Sequence, residues 1–275
     1  MLQQTIAPTD VALAAKITEE IAALPAIATH AWCDDAAEAL SGLRDGTIVS
    51  VTTGVIDELG RFRRVEEVGA YSDRLDKATL TPLRERFNVV ARLGWSLGDP
   101  ATLRRGPFAK CIRDLMAMDE WNRSPQGRLW QSVGATDLVV GAAALAEGVP
   151  SRVIVVELGV SAGEASLTAA DAAVLSAALG PLSRRAMLAF GASPSETVRR
   201  LTPREEEVLE HLALGKSVKQ IASELRRSPH TVHDHVKSLH VKLHASSRGE
   251  LIARALGHLK PVARENGEQL LAASG

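Results

Sequence analysis

From Thr202 onward the chain alternates stretches of helical apolar spacing with polar punctuation. Val208, Leu209 and Leu212 form one stripe, and Ile221, Ala222 and Leu225 a second. Val232, Val236, Leu239 and Leu243 form a third, and Leu251, Ile252, Ala255 and Leu256 a fourth. Each stripe follows a helix-start signal. Thr202-Pro203-Arg204-Glu205 and Ser217-Val218-Lys219-Gln220 read as capping boxes, in which a hydroxyl and a third-position carboxyl or amide each satisfy a backbone N–H of the other. Ser228-Pro229 opens the third helix, since proline suits a first turn. Ser247-Arg248-Gly249-Glu250 reads as another box, and Gly215 supplies the left-handed residue at which helices stop. The pattern predicts four short helices, the third over residues 229–243.

None of these helices is long enough to be stable alone, so their stripes must pack on one another. The polar side of the third helix, with His233, Asp234, Lys237 and, at its edge, His230, is then left outermost. A helix of about 15 residues is ~22 Å long, and its diameter of ~10–12 Å matches the ~12 Å width of a DNA major groove. A short helix, a tight turn and such a helix make a helix-turn-helix. A generic small bundle whose polar face meets water fits the apolar pattern equally well.

The first 190 residues mix both periodicities. Helical spacing runs from Thr9 to Leu24, and Ala36 to Leu43 suggests a second helix. Thr47 to Ile56 is rich in Val, Ile and Thr, Glu58-Leu59-Gly60 makes a turn, and Arg61 to Tyr71 alternates, which predicts a hairpin. Residues 80–93 and Phe108 to Met118 read as helices, with Pro and Gly interrupting 98–107. Asp137 to Leu145 and Arg152 to Leu158 read as strands. A helix follows from Thr168 to Phe190, which Gly180-Pro181 should bend or interrupt. The predicted fold class is an α+β N-terminal domain with an antiparallel sheet, followed by an all-α four-helix helix-turn-helix domain. The boundaries are 1–190, a linker at 191–200 where GASPSETVRR turns small and polar, the helical unit at 201–260, and a Pro-broken tail at 261–275.

Composition narrows the class. With 275 residues, 45% apolar and 24% charged, the chain can bury one large core or two ordinary ones. No apolar run approaches the ~18–20 residues of a membrane span. The start lacks the marks of a secretory signal, and Cys33 and Cys111 are too few for a disulfide framework, so a cytoplasmic protein is expected. The net charge of −1 hides an asymmetry: residues 1–199 carry 20 Lys and Arg against 24 Asp and Glu, and residues 200–275 carry 12 against 9. Seven of the eight histidines also lie in the second segment. An anionic partner for that segment is one reading, and ordinary solvation is the other.

The residues themselves separate the readings. LTPREEEVLEHLALGKSVKQIASEL followed by SPHTVHDHVKSLHVKLHASSR closely resembles the DNA-binding domain of LuxR-type (NarL/FixJ-type) transcription regulators, over residues 201 to about 257. The resemblance implies that the third helix reads bases through His233, Asp234 and Lys237, and that Lys219, Thr231, Lys242 and Arg248 hold phosphates. It also implies that the fourth helix pairs two domains on DNA through Leu251, Ile252 and Ala255. The chemistry is suitable: Lys237 can donate to guanine, Asp234 can accept from cytosine, and His233 can do either according to tautomer. Three positions depart from the family pattern. Asp234 stands where apolar or basic residues are usual and could instead pair with Lys237 on the same helical face. His240 stands at a usually large apolar position, and His244 where the family usually has Gly.

The order of elements in residues 1–190, with the run WNRSPQGRLWQSVGATDLVV, more loosely resembles GAF or PAS-like sensor domains. Trp121 and Trp130 are then either ligand-cavity residues or core anchors. A phosphoacceptor receiver is disfavoured, because no acidic pair follows an early strand to accompany Asp57. An acyl-homoserine-lactone sensor is disfavoured by the single tyrosine, Tyr71. His233, His240 and His244 repeat near one helical face but lack a soft ligand beside them, so neither a metal nor another cofactor is expected.

The sequence therefore predicts a sequence-specific transcription regulator, not an enzyme, whose promoter occupancy is modulated by a sensor-like domain. Its expected partners are double-stranded DNA, a second copy of the chain, a small-molecule effector and RNA polymerase, with no membrane. The alternatives are a ligand-independent dimerisation domain fused to the DNA-binding unit, or an N-terminal enzyme with a DNA tether.

Overall fold

The computed structural model describes residues 8–92, 101–145, 151–191 and 201–255. Most of the predicted linker and the whole tail from Pro261 lie outside the described residues. The chain divides into two compact units, Met1–Val198 and Arg199–Gly275. Among the described residues no helix is long and apolar enough to cross a membrane.

The first unit opens with α1 (Pro8–Ala23) and α2 (Trp32–Ser41), followed by the strands β1 (Thr47–Ile56) and β2 (Phe62–Ser72). These two strands form the expected antiparallel hairpin. Asp57 sets its turn by accepting hydrogen bonds from the backbone N–H groups of Leu59 and Arg61 at 2.9 and 3.0 Å. Next come α3 (Lys77–Arg92), the short α4 (Ala101–Arg104), β3 (Phe108–Cys111), and the short α5 (Ile112–Leu115) and α6 (Met118–Arg123). The unit is completed by α7 (Pro125–Ser132), β4 (Ala135–Ala144), β5 (Ser151–Ser161) and α8 (Ala169–Phe190).

The five strands make one antiparallel sheet in the order β2-β1-β5-β4-β3. All ten residues of β1 are buried, because it is an interior strand with helices over both faces. One face carries Val49, Val51, Ile154 and Val156 against α1, α2 and α8. Trp32 and Phe190 meet there edge to face, with ring centroids 5.0 Å apart. The opposite face carries Ile48, Leu138, Val140, Val153 and Val155 against α3 and α7, which contribute Leu80, Leu83, Leu129 and Trp130. The α2 backbone reaches β2 at Gly69, where a Cβ would lie 2.1 Å from the Cys33 carbonyl carbon, so only glycine fits. Cys33 and Cys111 are both buried, and neither is in a disulfide among the described residues.

Two expectations are corrected. The helix expected over Phe108–Met118 is instead an edge strand followed by short helical turns. Its first four residues pair with β4, Ala109 opposite Gly141, because the open backbone groups of β4 reward pairing more than one isolated turn of helix does. Of the bend or interruption expected at Gly180-Pro181, the interruption does not occur: α8 continues to Phe190 with Pro181 inside it. Leu179, Leu182 and Ala186 are buried against the sheet on either side of the proline, and Ala177, whose carbonyl loses its donor, lies on the exposed side.

Arg152, at the start of β5, is fully buried and fastens the end of α8 to the sheet. Its guanidinium donates to the Gly191 carbonyl at 3.0 Å and to Glu66 Oε1 at 3.0 Å, and also to the Phe190 carbonyl.

The second unit is α9 (Pro203–Ala213), α10 (Val218–Glu224), α11 (Pro229–Lys242) and α12 (Arg248–Ala255). The capping boxes at Thr202–Glu205 and Ser217–Gln220 are both formed, and Ser228 caps α11 through the Thr231 N–H. The fourth box differs: Ser247 accepts from the Glu250 N–H, but the Glu250 carboxylate turns back to the N–H and hydroxyl of Ser246. The first three helices end alike, on a residue of positive φ followed by a hydrogen bond spanning five residues. The three stops are Gly215 at 85°, Arg226 at 52° and His244 at 50°. Their closing bonds are Lys216 N–H to His211, Arg227 N–H to Ala222, and Ala245 N–H to His240.

Candidate nucleic-acid interface

The apolar stripe of α11 is only partly inward. Val232 and Leu239 are buried, whereas Val236 and Leu243 are half-buried. The stripe seats α11 against α9 and α10. Helical spacing then turns His233, Asp234 and Lys237 outward, and all three are exposed, as is His230. Asp234 Oδ2 lies 3.6 Å from His230 Nε2, one turn earlier, and makes no ion pair with Lys237 among the described residues. The base-reading side chains expected from the sequence thus share one solvent-facing surface, with Lys237 unencumbered.

The four residues expected at phosphates are placed differently from one another. Lys219, in the first turn of α10, is exposed. The Thr231 hydroxyl shares a hydrogen bond with the Ser228 hydroxyl at 2.9 Å. Lys242 Nζ donates to Glu205 Oε2 at 2.6 Å, and Arg248 Nη2 donates to the Leu212 carbonyl at 2.6 Å. Those two cations brace the unit internally. Sequence reasoning passed over Arg226 and Arg227, both exposed in the turn that leads into α11. The signal was present as an Arg-Arg pair directly before the Ser228-Pro229 start.

Glu205 organises the inner side of this surface. Its carboxylate accepts from the Thr202 N–H at 2.7 Å, the Ser238 hydroxyl at 2.6 Å and Lys242, which joins the start of α9 to the last turns of α11. Burial pushes its pKa up, but the hydrogen bonds from Lys242, Ser238 and Thr202 more than offset this and hold it down at about 2.

His240, at a position where the family prefers a large apolar residue, donates its Nδ1–H to the Ala245 carbonyl at 2.8 Å and so ties down the end of α11. That nitrogen is taken in the face that suggested a metal.

For pairing, the expected α12 residues separate. Leu251 is fully buried within the unit, where α12 meets α9, so it cannot present itself to a second copy. Ile252 and Ala255 are half-buried. In the first unit, Trp121 and Trp130 are buried in the core on the α3–α7 side of the sheet.

Residues 199–255 match the family described as bacterial regulatory proteins, luxR family. The C-terminal unit is therefore a LuxR-family helix-turn-helix domain. Over 56 residues the chain is 45% identical to the probable transcriptional regulatory protein NarL of Mycobacterium tuberculosis, covering 20% of this chain and 26% of that protein. Over 54 residues it is 52% identical to the transcriptional regulatory protein UhpA of Escherichia coli, covering 20% and 28%. The chain spans about a quarter of the length of these curated relatives. Among solved structures, Escherichia coli SdiA aligns over 76% of this chain and 83% of its own at 18% identity, with a TM-score of 0.31. Vibrio cholerae VqmA aligns over 75% and 82% at 17% identity, with a TM-score of 0.22. Scores this low fix nothing about residues 1–198.

Proposed function

We propose that the chain is a sequence-specific transcription regulator in which α11 enters the DNA major groove and the first unit modulates promoter occupancy. The observation that carries this is the exposed row His233, Asp234 and Lys237 on a helix anchored from behind by Val232, Leu239 and the Glu205 clamp. A rigid helix presenting donors and acceptors on one face is what direct readout of base edges requires. Lys219, Thr231, Lys242 and Arg248 hold the phosphate backbone on this reading, and Arg226 and Arg227 join them.

The regulator binds as a homodimer on two half-sites. The half-buried Ile252 and Ala255 of α12 contribute to pairing. The first unit, with its antiparallel sheet covered by helices on both faces, acts as a GAF/PAS-like sensor that couples a small-molecule effector to DNA binding. Contact with RNA polymerase and a cytoplasmic location follow from the same reading.

Genome-wide footprinting of the purified full chain, with and without metabolite extract, tests DNA selectivity and effector response together. Protected sites sharing a two-fold related motif, with occupancy changed by the extract, support the proposal. Binding without sequence preference overturns it.

A further inference from the structure

We propose that a buried polar patch between the sheet and α7, built from Glu157, Gln126, Trp130, Ser50 and Thr52, is the seat of a small effector that presents an amino N–H to Glu157 and Gln126 and accepts a hydrogen bond from the Trp130 indole. The proposal rests on reading the first unit as a sensor.

Strand alternation puts the patch together. Ser50 of β1 and Glu157 of β5 are direct cross-strand partners, and Thr52 is the next residue of β1 on the same face. This is the face covered by α3 and α7. The Trp130 ring lies over β5 at Gly159, where a Cβ would come 2.8 Å from the ring. All five side chains are buried, each residue being 1–2% exposed.

The hydrogen bonding within the patch is incomplete. Gln126 Nε2 donates to both Glu157 oxygens, at 3.0 and 3.2 Å, so its amide is fixed with the oxygen turned away. That oxygen has no partner, and neither do the Ser50 and Thr52 hydroxyls or Trp130 Nε1. The indole N–H is close enough to favour the ionised form of Glu157, yet makes no hydrogen bond of normal geometry. Folded proteins leave very few buried polar atoms unpaired. Four around one carboxylate call for a partner from outside the chain.

The unused groups define the chemistry of that partner. Glu157 and the Gln126 oxygen accept, the Trp130 N–H donates, and the hydroxyls do either. Among the described residues no Lys or Arg pairs with Glu157, which favours a cationic or N–H-bearing guest and repels an anionic one. Burial, partly opposed by the contacts with Gln126 and Trp130, raises the Glu157 pKa to about 7. An amine guest would hold it ionised. Its affinity therefore rises as pH increases toward and through 7.

The test titrates the full-length chain with primary amines carrying a neighbouring hydroxyl or carbonyl, against carboxylic acids of matched size. Thermal unfolding and tryptophan emission are the readouts. Amines are expected to raise the unfolding temperature and change the emission, while the acids do neither. Glu157→Gln, which keeps shape and volume, should weaken the amine response about tenfold or more. If that variant fails to fold, Trp130→Phe, which removes the N–H, provides the same comparison by thermal shift. An equal response to both sets, no response to either, or undiminished affinity in the variants overturns the proposal, water then being the occupant of the patch. Operator affinity measured on the same samples keeps the two readings apart. Intact operator binding without an amine response removes only the effector site, and loss of operator binding by the unsubstituted chain removes the regulator reading.

Discussion

Lys242 Nζ lies 2.6 Å from Glu205 Oε2, so the last residue of α11 is held by the residue that caps the start of α9. One carboxylate thereby fixes both the start of a helix and the attitude of the proposed recognition helix. Glu205→Ala should cost about 2–3 kcal/mol of the C-terminal unit's stability, since hydrogen bonds to a charged group are lost in a buried setting. The folded pKa of about 2 lies below the usual value of 4.5. The stabilisation is therefore present above pH ~4.5 and lost as pH falls toward 2. Chemical denaturation from pH 7 to pH 2.5 checks this: the Glu205→Ala variant should lose less stability on acidification than the parent chain.

Lys237 and Lys219 should respond differently. Lys237→Ala is expected to cost about 1–3 kcal/mol of operator affinity and to relax preference at one base pair. Lys219→Ala should weaken all sequences alike and reduce the salt slope by about one. Fluorescence-anisotropy titrations on operator and scrambled duplexes at several salt concentrations separate the two roles.

His244 holds a φ of 50°, in the left-handed region where the Cβ crowds the backbone, and its side chain is exposed. This conformation costs an L-residue about 1–2 kcal/mol, part of which glycine returns through its freer unfolded chain. His244→Gly should therefore stabilise the C-terminal unit by about 0.5–1 kcal/mol. Gly215→Ala, at φ 85°, should destabilise it. Paired urea melts measure both.

Thr52 carries a buried hydroxyl with no partner. Thr52→Val keeps the shape and removes the unpaired group, so the ligand-free chain should gain about 1 kcal/mol. Calorimetry should place the gain in the unfolding of the first unit. A loss of stability would mean that the hydroxyl is satisfied by ordered water.

Arg152 is fully buried, with Glu66 and the carbonyls at the end of α8 as its partners. Arg152→Ala takes this buried cation from Glu66, which keeps Arg64 at 2.6 Å, and should cost about 3 kcal/mol. The loss should fall on the first unit, which limited proteolysis near residue 190 would detect as faster cleavage after α8.

The sequence alone determined what local chemistry determines. Thr202, Ser217, Ser228 and Gly215 marked the ends of helices in the C-terminal unit because caps and left-handed stops act within a few residues of their own position. The outward placement of His233 and Lys237 followed from helical period, and the β1–β2 hairpin from its Val, Ile and Thr content and its turn. The resemblance carried by LTPRE and KQIA supplied the family of that unit and could say nothing of the rest.

Tertiary structure decided what depends on residues distant in the chain. Phe108–Cys111 became a strand because β4 offered it partners, and α8 continued through Pro181 because packing on both sides held it. Lys242, read as a phosphate contact, was drawn to Glu205, and Leu251, read as a pairing residue, was consumed by the unit's own core. A single Glu157 in an apolar strand gave no sign of what faced it. Only folding put Gln126, Trp130 and Ser50 around it, because the desolvation and hydrogen-bond demand of a buried carboxylate are set by neighbours in space.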